Sequence, residues 1–347
     1  MTSSTGLNIL VTGGCGFLGA RLARALLAQE AVSLAGAAPR PLAHVLLVDR
    51  APPPSDLRDD GRVRFIGGDL PSLIADGQLP LDEVDLVFHL AAAVSGECEA
   101  DFDLGMRSNL DATRGLLDAC RKSGTAPVFV FSSSVAVFGD SPEQPLPPVI
   151  EDTTLATPQN SYGIQKFVGE QLVADYTRKG YVAGRSVRLM TVSVRPGLPN
   201  GAASGFLSGM LREPLAQRRT RCPVDPDTAV ALASPGNTIA GLLRAASAPA
   251  ADWGARTAIN LPALTTTVRE MAQALERLAG PQATALIDWE PDPQVTKIIT
   301  SWPSRFEARR AAALGLAPDA SVDAILADYV RENPEAVRMP LRTAMAA

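Results

Sequence analysis

The sequence has little of what a metal site needs. Its 347 residues include two histidines, His44 and His89, and four cysteines, Cys15, Cys98, Cys120 and Cys222. None of these stand together at metal-ligand spacing, which excludes a zinc cluster, and no metal is expected. Four scattered thiols read as small buried side chains in a reducing compartment, so a cytoplasmic location is expected. Aromatic residues make up only 5% of the chain, too few for a base-stacking surface. Basic residues are outnumbered by acidic ones, 32 to 37. That balance argues against nucleic acid or an anionic membrane as the main partner, because both need a basic patch. No apolar run is long enough to span a bilayer. No basic segment precedes the first apolar run, as a signal peptide would require.

What is present is an alternation. Apolar runs at 8–12, 45–49, 64–69, 84–90, 127–133 and 186–194 read as strands, and 18–29 and 109–120 carry apolar residues at helical spacing. The strands lack polar–apolar alternation, the mark of a parallel sheet covered on both faces. The expected fold is α/β: a Rossmann-type doubly wound parallel sheet with a smaller C-terminal substrate-binding lobe. Composition is ordinary for a globular protein, with 46% hydrophobic and 20% charged residues. The pattern loosens after the sixth strand, so the first lobe is expected to span 1–195. The second is expected to take most of 196–347, exchanging elements with the first. Residues 31–41 read as a loop-like insert. Residues 139–157, with Pro142, Pro145, Pro147 and Pro148, read as an irregular loop. Later helices are expected at 267–278, 304–314 and 322–332.

Gly13, Gly16 and Gly19 follow the first strand and open a helix. At this spacing the first lets the chain turn, the second lets backbone amides approach a pyrophosphate, and the third lets helix and strand pack closely. The free N–H groups of the helix start, around Phe17 and Leu18, would face the phosphates. Asp49 ends the second strand. A carboxylate there accepts from the adenosine ribose hydroxyls and repels a 2′-phosphate, so NAD is favoured over NADP. The adjacent Arg50 pulls the other way. Asp69, just before Leu70, is placed to accept from the adenine amine or to cap a helix.

Tyr162 and Lys166 lie one turn apart on one helix face. A free tyrosine titrates near pH ~10. A cation about 4 Å away, at an effective dielectric of about 20, is worth roughly 4 kcal/mol, or about three pKa units. Lys166 is therefore expected to make a phenolate available near neutrality. By itself the pair reads as an exposed helix face; other stretches must carry the functional reading.

With these stretches together, the chain resembles the extended short-chain dehydrogenase/reductase family. The matching residues are Thr12 through Gly19, Gly68-Asp69-Leu70, His89-Leu90-Ala91-Ala92, Phe131-Ser132-Ser133-Ser134, and Tyr162 through Lys166, in family order. The resemblance implies that Tyr162 is the acid/base, that Ser134 assists it, and that Lys166 also holds the nicotinamide ribose. It implies that Leu90, Ala91, Ala92 and Ala93 line the cofactor, NAD, and that Asn109 orders a water and the backbone. It also implies a homodimer through two helices flanking the sheet.

The chain departs from the family at three places. Phe138 stands where a tyrosine is usual. The run Thr191-Val192-Ser193-Val194-Arg195-Pro196-Gly197 replaces the Asn-Val-Tyr-Gly-Pro with which sugar-nucleotide epimerases frame a large substrate. Val135-Ala136 lacks the acids of the dehydratases. Instead, residues 194–206 and 211–215 resemble the subgroup that oxidises a four-carbon sugar acid, D-erythronate, at its C2 hydroxyl with NAD. A small anionic substrate wants an arginine fork. Arg195 and Arg212 are the candidates, each equally suited to a salt bridge. Asn200 and Ser204 suit either substrate hydroxyls or a turn. The expected function is NAD-dependent oxidation of D-erythronate to 2-oxo-D-erythronate. A nucleotide-sugar epimerase or dehydratase that recycles bound NAD is the first alternative; it would release no NADH. A non-catalytic NAD(P)-sensing protein is the second; it would have no need of Ser134, Tyr162 and Lys166 together.

Overall fold

The apolar runs of the first half build one sheet. The computed structural model describes residues 6–197 and 201–342. Its main parallel strands are β1 (Leu7–Thr12), β2 (Arg40–Asp49), β3 (Val63–Gly67), β4 (Leu86–His89), β5 (Val128–Ser134), β6 (Ala183–Leu189) and β7 (Ile259–Asn260). They run in the order β7-β6-β5-β4-β1-β2-β3. The order reverses between β1 and β4, and the crevice outside the carboxyl ends at such a point is where doubly wound sheets bind ligands.

Helices cover both faces, among them α1 (Phe17–Leu27), α2 (Ala112–Ser123), α3 (Ser161–Arg178) and α5 (Pro235–Ser247), while α4 (Gly205–Leu215) lies off the sheet. On one face Ile9, Val11, Val45 and Leu47 pack with Leu22 and Leu26 of α1 and Leu242 of α5. On the other, Leu10, Leu46, Phe129 and Phe131 pack with Leu116 and Leu117 of α2 and Val173 of α3. Both sides of β1, β4, β5 and β6 are therefore buried, which is why those runs read as continuously apolar. A separate core joins Leu207, Met210 and Leu211 of α4 to Met271 and Leu275 of α6 (Val268–Ala279) and Ile325 and Leu326 of α7 (Val322–Glu332). The chain returns from this second half to the sheet at β7 and α5.

Four local expectations are corrected. Residues 31–41 form a hairpin: Ala31 and Val32 pair antiparallel with Pro41 and Arg40, and Ala35 and Gly36 take positive φ at the turn. Within 304–314 only Arg309–Ala313 is helical, because Phe306–Glu307 pairs with Ile150–Glu151 and Phe306 packs edge-on against Phe138. The same pairing puts a short strand inside the proline-rich stretch. The sixth strand stops at Leu189, and Thr191–Val192 joins a second sheet with Ala229–Ala233. Among the described residues no helix is long and apolar enough to cross a membrane, and no His/Cys/Asp/Glu group could hold a metal.

Candidate active site

A cavity of about 690 Å³ opens at the carboxyl ends of β1, β4 and β5, with α4 across from them. It gathers Gly13, Gly16, Phe17, Leu18, Gly19, Asp49, Asp69, Leu70, Leu90, Ala91, Ala92 and Ala93 around one end. Ser134, Tyr162, Lys166, Arg195, Ser204 and Arg212 also line it. Asn109 is buried behind the wall, and Asn200 lies outside the described residues.

The glycine loop is shaped for an anion. Gly13 holds a φ of +66°, and a side chain at Gly19 would collide with the carbonyl of Gly13. No side chain caps the start of α1 and its first turn holds no acid. Its N–H groups are thus left for a diphosphate. Asp49 is fixed beside the loop: its carboxylate accepts from the Cys15 N–H at 3.0 Å and the Ala51 N–H at 3.2 Å. Burial, with Asp49 adding to it, pushes the Cys15 thiol up to about 11. Asp69 stands at the N-cap of the helix Leu70–Ala75 but makes no capping bond, and takes only a long bond from Ser72 at 3.4 Å. These features fit a nicotinamide dinucleotide.

Behind the loop, one chain of hydrogen bonds orders its own protons. Thr12 Oγ1 accepts from the Ala91 N–H at 3.2 Å, and its hydroxyl lies 2.7 Å from His89 Nδ1. Thr113 Oγ1 donates to the Asn109 carbonyl and lies 2.9 Å from His89 Nε2. The proton of His89 therefore sits on Nε2. Burial, with Lys166 nearby, pushes the His89 pKa down to about 3, so the ring is neutral. Asn109 lies in a π-helical turn, Met106–Asp111. It accepts from the Ala93 N–H at 2.7 Å and donates to the Ala93 carbonyl at 3.2 Å and to Gln165 at 2.8 Å. It thus clamps the main chain after β4. The sequence reading left His89 without a task; its signal is a histidine at the end of a buried strand, which must find polar partners.

Asn160 caps α3 by accepting from the Gly163 N–H at 2.8 Å, and the helix then presents Tyr162 and Lys166 on one face. Lys166 Nζ donates to the Ser132 carbonyl at 2.8 Å and lies 5.7 Å from the centre of the Tyr162 ring. Burial pushes Tyr162 up to about 12, with a hydrogen bond to Ser134 pulling against it. Burial also brings Lys166 down to about 8, opposed by Cys98 and Glu170. The expectation that Lys166 frees a phenolate near neutrality is corrected: burial raises the phenol, and Lys166, which donates to the Ser132 carbonyl, is not among the groups that lower it.

The facing wall separates the two arginines. Arg212, 3% exposed, donates from Nε to Glu213 at 2.8 Å and from Nη1 to the Arg195 carbonyl at 2.7 Å. Its Nη2 lies 2.7 Å from Glu213 but off line, so that nitrogen makes no hydrogen bond. Arg212 is thus largely held in an internal ion pair. Arg195 forms no ion pair among the described residues. Its main chain donates to Ser208 at 3.0 Å, its guanidinium lies 6.0 Å from the Phe17 ring centre, and its Nε is buried without a partner. Burial and the charge of Arg212 lower its pKa. Ser208 and Trp302 also line the cavity and were not foreseen; Trp302 arrives from a segment with no local signal.

Residues 9–226 match the NAD dependent epimerase/dehydratase family. The chain is 45% identical over 326 residues to D-erythronate dehydrogenase of Cupriavidus necator, covering 94% of this chain and 98% of that protein. It is 39% identical to D-erythronate dehydrogenase of Haemophilus influenzae, covering 93% and 99%. Among solved structures it superposes on a nucleoside-diphosphate-sugar epimerase from Agrobacterium tumefaciens with a TM-score of 0.85, 38% identity and 95% of both chains covered. L-threonine 3-dehydrogenase from Trypanosoma brucei gives 0.80 at 26% identity, covering 96% of this chain and 98% of that one.

Proposed function

The chain belongs to the NAD dependent epimerase/dehydratase family, and from that premise we propose that it is an NAD-dependent dehydrogenase that oxidises D-erythronate at C2 to 2-oxo-D-erythronate. The observation that carries this is the likeness, along nearly the whole chain, to two proteins named for that activity. The cavity supports it: Ser134, Tyr162, Lys166 and Arg195 share one space.

When bound, NAD supplies the two-electron acceptor. The glycine loop and the start of α1 hold its diphosphate, Asp49 the adenosine ribose, Asp69 and Leu70 the adenine end, and Lys166 the nicotinamide ribose. Ser134 holds the substrate hydroxyl and Tyr162 takes its proton on the phenolic oxygen. Because Tyr162 lies at about 12 in the protein alone, oxidation should quicken as the pH rises. Arg195 takes the substrate carboxylate, while Arg212 fixes the main chain of Arg195. In this reading residues 1–195 carry the cofactor and catalytic groups, and 196–347 mainly the substrate wall. A cytoplasmic homodimer completes it; the outward apolar side chains of Ile164 on α3 and of Phe102 support a partner there.

The Agrobacterium relative, named an epimerase, favours one other reading, in which bound NAD is recycled. A panel of sugar acids and matching polyols, each with NAD and NADP, separates the two. D-erythronate with NAD should give steady NADH, and the neutral polyol little. Absence of NADH with every acid, or equal rates on acid and polyol, would sink the proposal.

A further inference from the structure

Tyr162, Lys166 and Glu170 follow one another at four-residue steps and share a face of α3. Each meets a group of the serine run at the end of β5. Tyr162 faces the Ser134 hydroxyl, Lys166 donates to the Ser132 carbonyl, and Glu170 accepts from the Ser133 hydroxyl. The first two contacts belong to the reaction proposed above. The third has no part in it: Ser133 borders the cavity, but Glu170 lies behind it.

Ser133 sits in the row Phe129, Phe131, Ser133 that β5 turns toward α3, and it is the polar member of that row, 2% exposed. Directly across the sheet, in register with it, stands Arg188 of β6. Arg188 donates from Nε and Nη2 to the two oxygens of Glu170 at 2.8 and 2.7 Å. Its guanidinium also lies over Phe138 at 4.8 Å and reaches Asn260 of β7 at 3.4 Å. One buried carboxylate therefore ties β5 and α3, which bear the proposed catalytic groups, to the neighbouring β6. A buried ion pair adds little net stability over an apolar pair of the same volume. What it adds here is a fixed point at the strand end.

We propose that Glu170 and Arg188 are positioning residues: they hold the Ser133 hydroxyl and so fix Ser132 and Ser134 opposite Lys166 and Tyr162. This rests on the reading of Ser134, Tyr162 and Lys166 given above. Small misplacements at a reacting centre are costly; about 1 Å can lower a rate by about a hundred-fold.

Two variants test it. Ser133→Ala cuts the single link and leaves the ion pair whole. Glu170→Leu/Arg188→Met removes both charges together with the acceptor for Ser133, and leaves neither charge unpaired. Each is assayed with whichever sugar acid the wild type oxidises fastest, so an error about D-erythronate changes the assay substrate and not the test. kcat should fall about ten-fold or more in both, with KM for the acid held within about three-fold. NAD binding, followed by tryptophan fluorescence, should stay within about three-fold, and Tm should show a folded protein. The rising limb of kcat with pH should move up by about one unit, as the Ser134 hydroxyl, which lowers the Tyr162 pKa, is displaced from the phenol. Cys98 also faces Tyr162, and Cys98, His89 and Glu170 surround Lys166. Only the double variant changes one of these, so a shift shared by both variants comes from alignment. A kcat within about two-fold of wild type in either folded variant, or a lower kcat on an unmoved limb, overturns the proposal.

Discussion

The two sides of the cavity are built differently. On the floor, formed by β1, β4, β5 and α3, most polar groups of the proposed machinery answer one another, Gln165 Nε2 being the exception. His89 has both ring nitrogens engaged, Lys166 has the Ser132 carbonyl, Ser133 has Glu170, and Asn109 has Ala93 and Gln165. On the facing wall, Arg195 Nε and Arg212 Nη2 are buried with no hydrogen-bond partner. A buried polar group left unmatched costs about 1–3 kcal/mol, which makes Arg195, with no ion pair among the described residues, the cation of the wall best placed to take an anion. The floor carries what any hydroxyl oxidation needs; the wall carries what this substrate needs.

Breaking the floor should have the largest effect. Tyr162→Phe removes the proposed base, and kcat should fall by about a hundred-fold or more, with NAD affinity nearly unchanged. Near-normal turnover would mean that another group takes the proton. Breaking the wall should act on KM instead. An arginine–carboxylate contact is worth roughly 1.5–3 kcal/mol, so Arg195→Ala should raise KM for the acid about ten- to a hundred-fold. Arg212→Ala should raise it less and lower Tm, because Arg212 works through the Arg195 carbonyl. Glu213 would keep Arg218 at 2.7 Å, so no orphaned acid obscures the comparison. If both variants leave KM untouched, the carboxylate is anchored elsewhere.

The floor was largely legible in the sequence and the wall only partly. Gly13, Gly16, Gly19, Asp49, Tyr162 and Lys166 announce themselves through short spacings that a strand or a helix converts directly into geometry. Burial is not such a property. The upward push on Tyr162 comes from elements folded over it, and no spacing encodes that. On the wall, Arg195 and Arg212 were visible as charges, but their separate fates depend on Glu213 and on a carbonyl reached across a turn. Trp302 comes from a distant segment and had no local mark. The hairpin at 31–41 was hidden because its pairing rests on one buried valine, Val32, among small residues. Asp49 tests the legible side. Asp49→Ala should weaken NAD binding about ten-fold and relax the rejection of NADP, measured as the ratio of the two affinities. A wild type that already prefers NADP would show Arg50 to be dominant.

The smallest effect expected concerns the floor's own stability, and it sharpens the comparison because no ligand enters it. His89 is 1% exposed, and its pKa falls from an ordinary 6.5 to about 3. Above pH 6.5 the ring is neutral whether the chain is folded or not, and ionisation of His89 takes nothing from stability. As the pH falls below that value, the unfolded chain binds a proton that the folded chain refuses. Stability is therefore lost on acidification, by up to about 1.4 kcal/mol per pH unit, until the folded ring itself protonates. His44, half-buried and also lowered, and many carboxylates titrate in the same range, so the wild type alone does not isolate the effect. The difference in unfolding free energy between wild type and His89→Gln does. Glutamine can still bridge Thr12 and Thr113 but cannot charge. The wild-type advantage should be level above pH 6.5 and shrink steadily below it. A difference that stays level down to pH ~5 would mean that the folded ring is charged, and the proton order drawn from Thr12 to Asn109 would then be wrong.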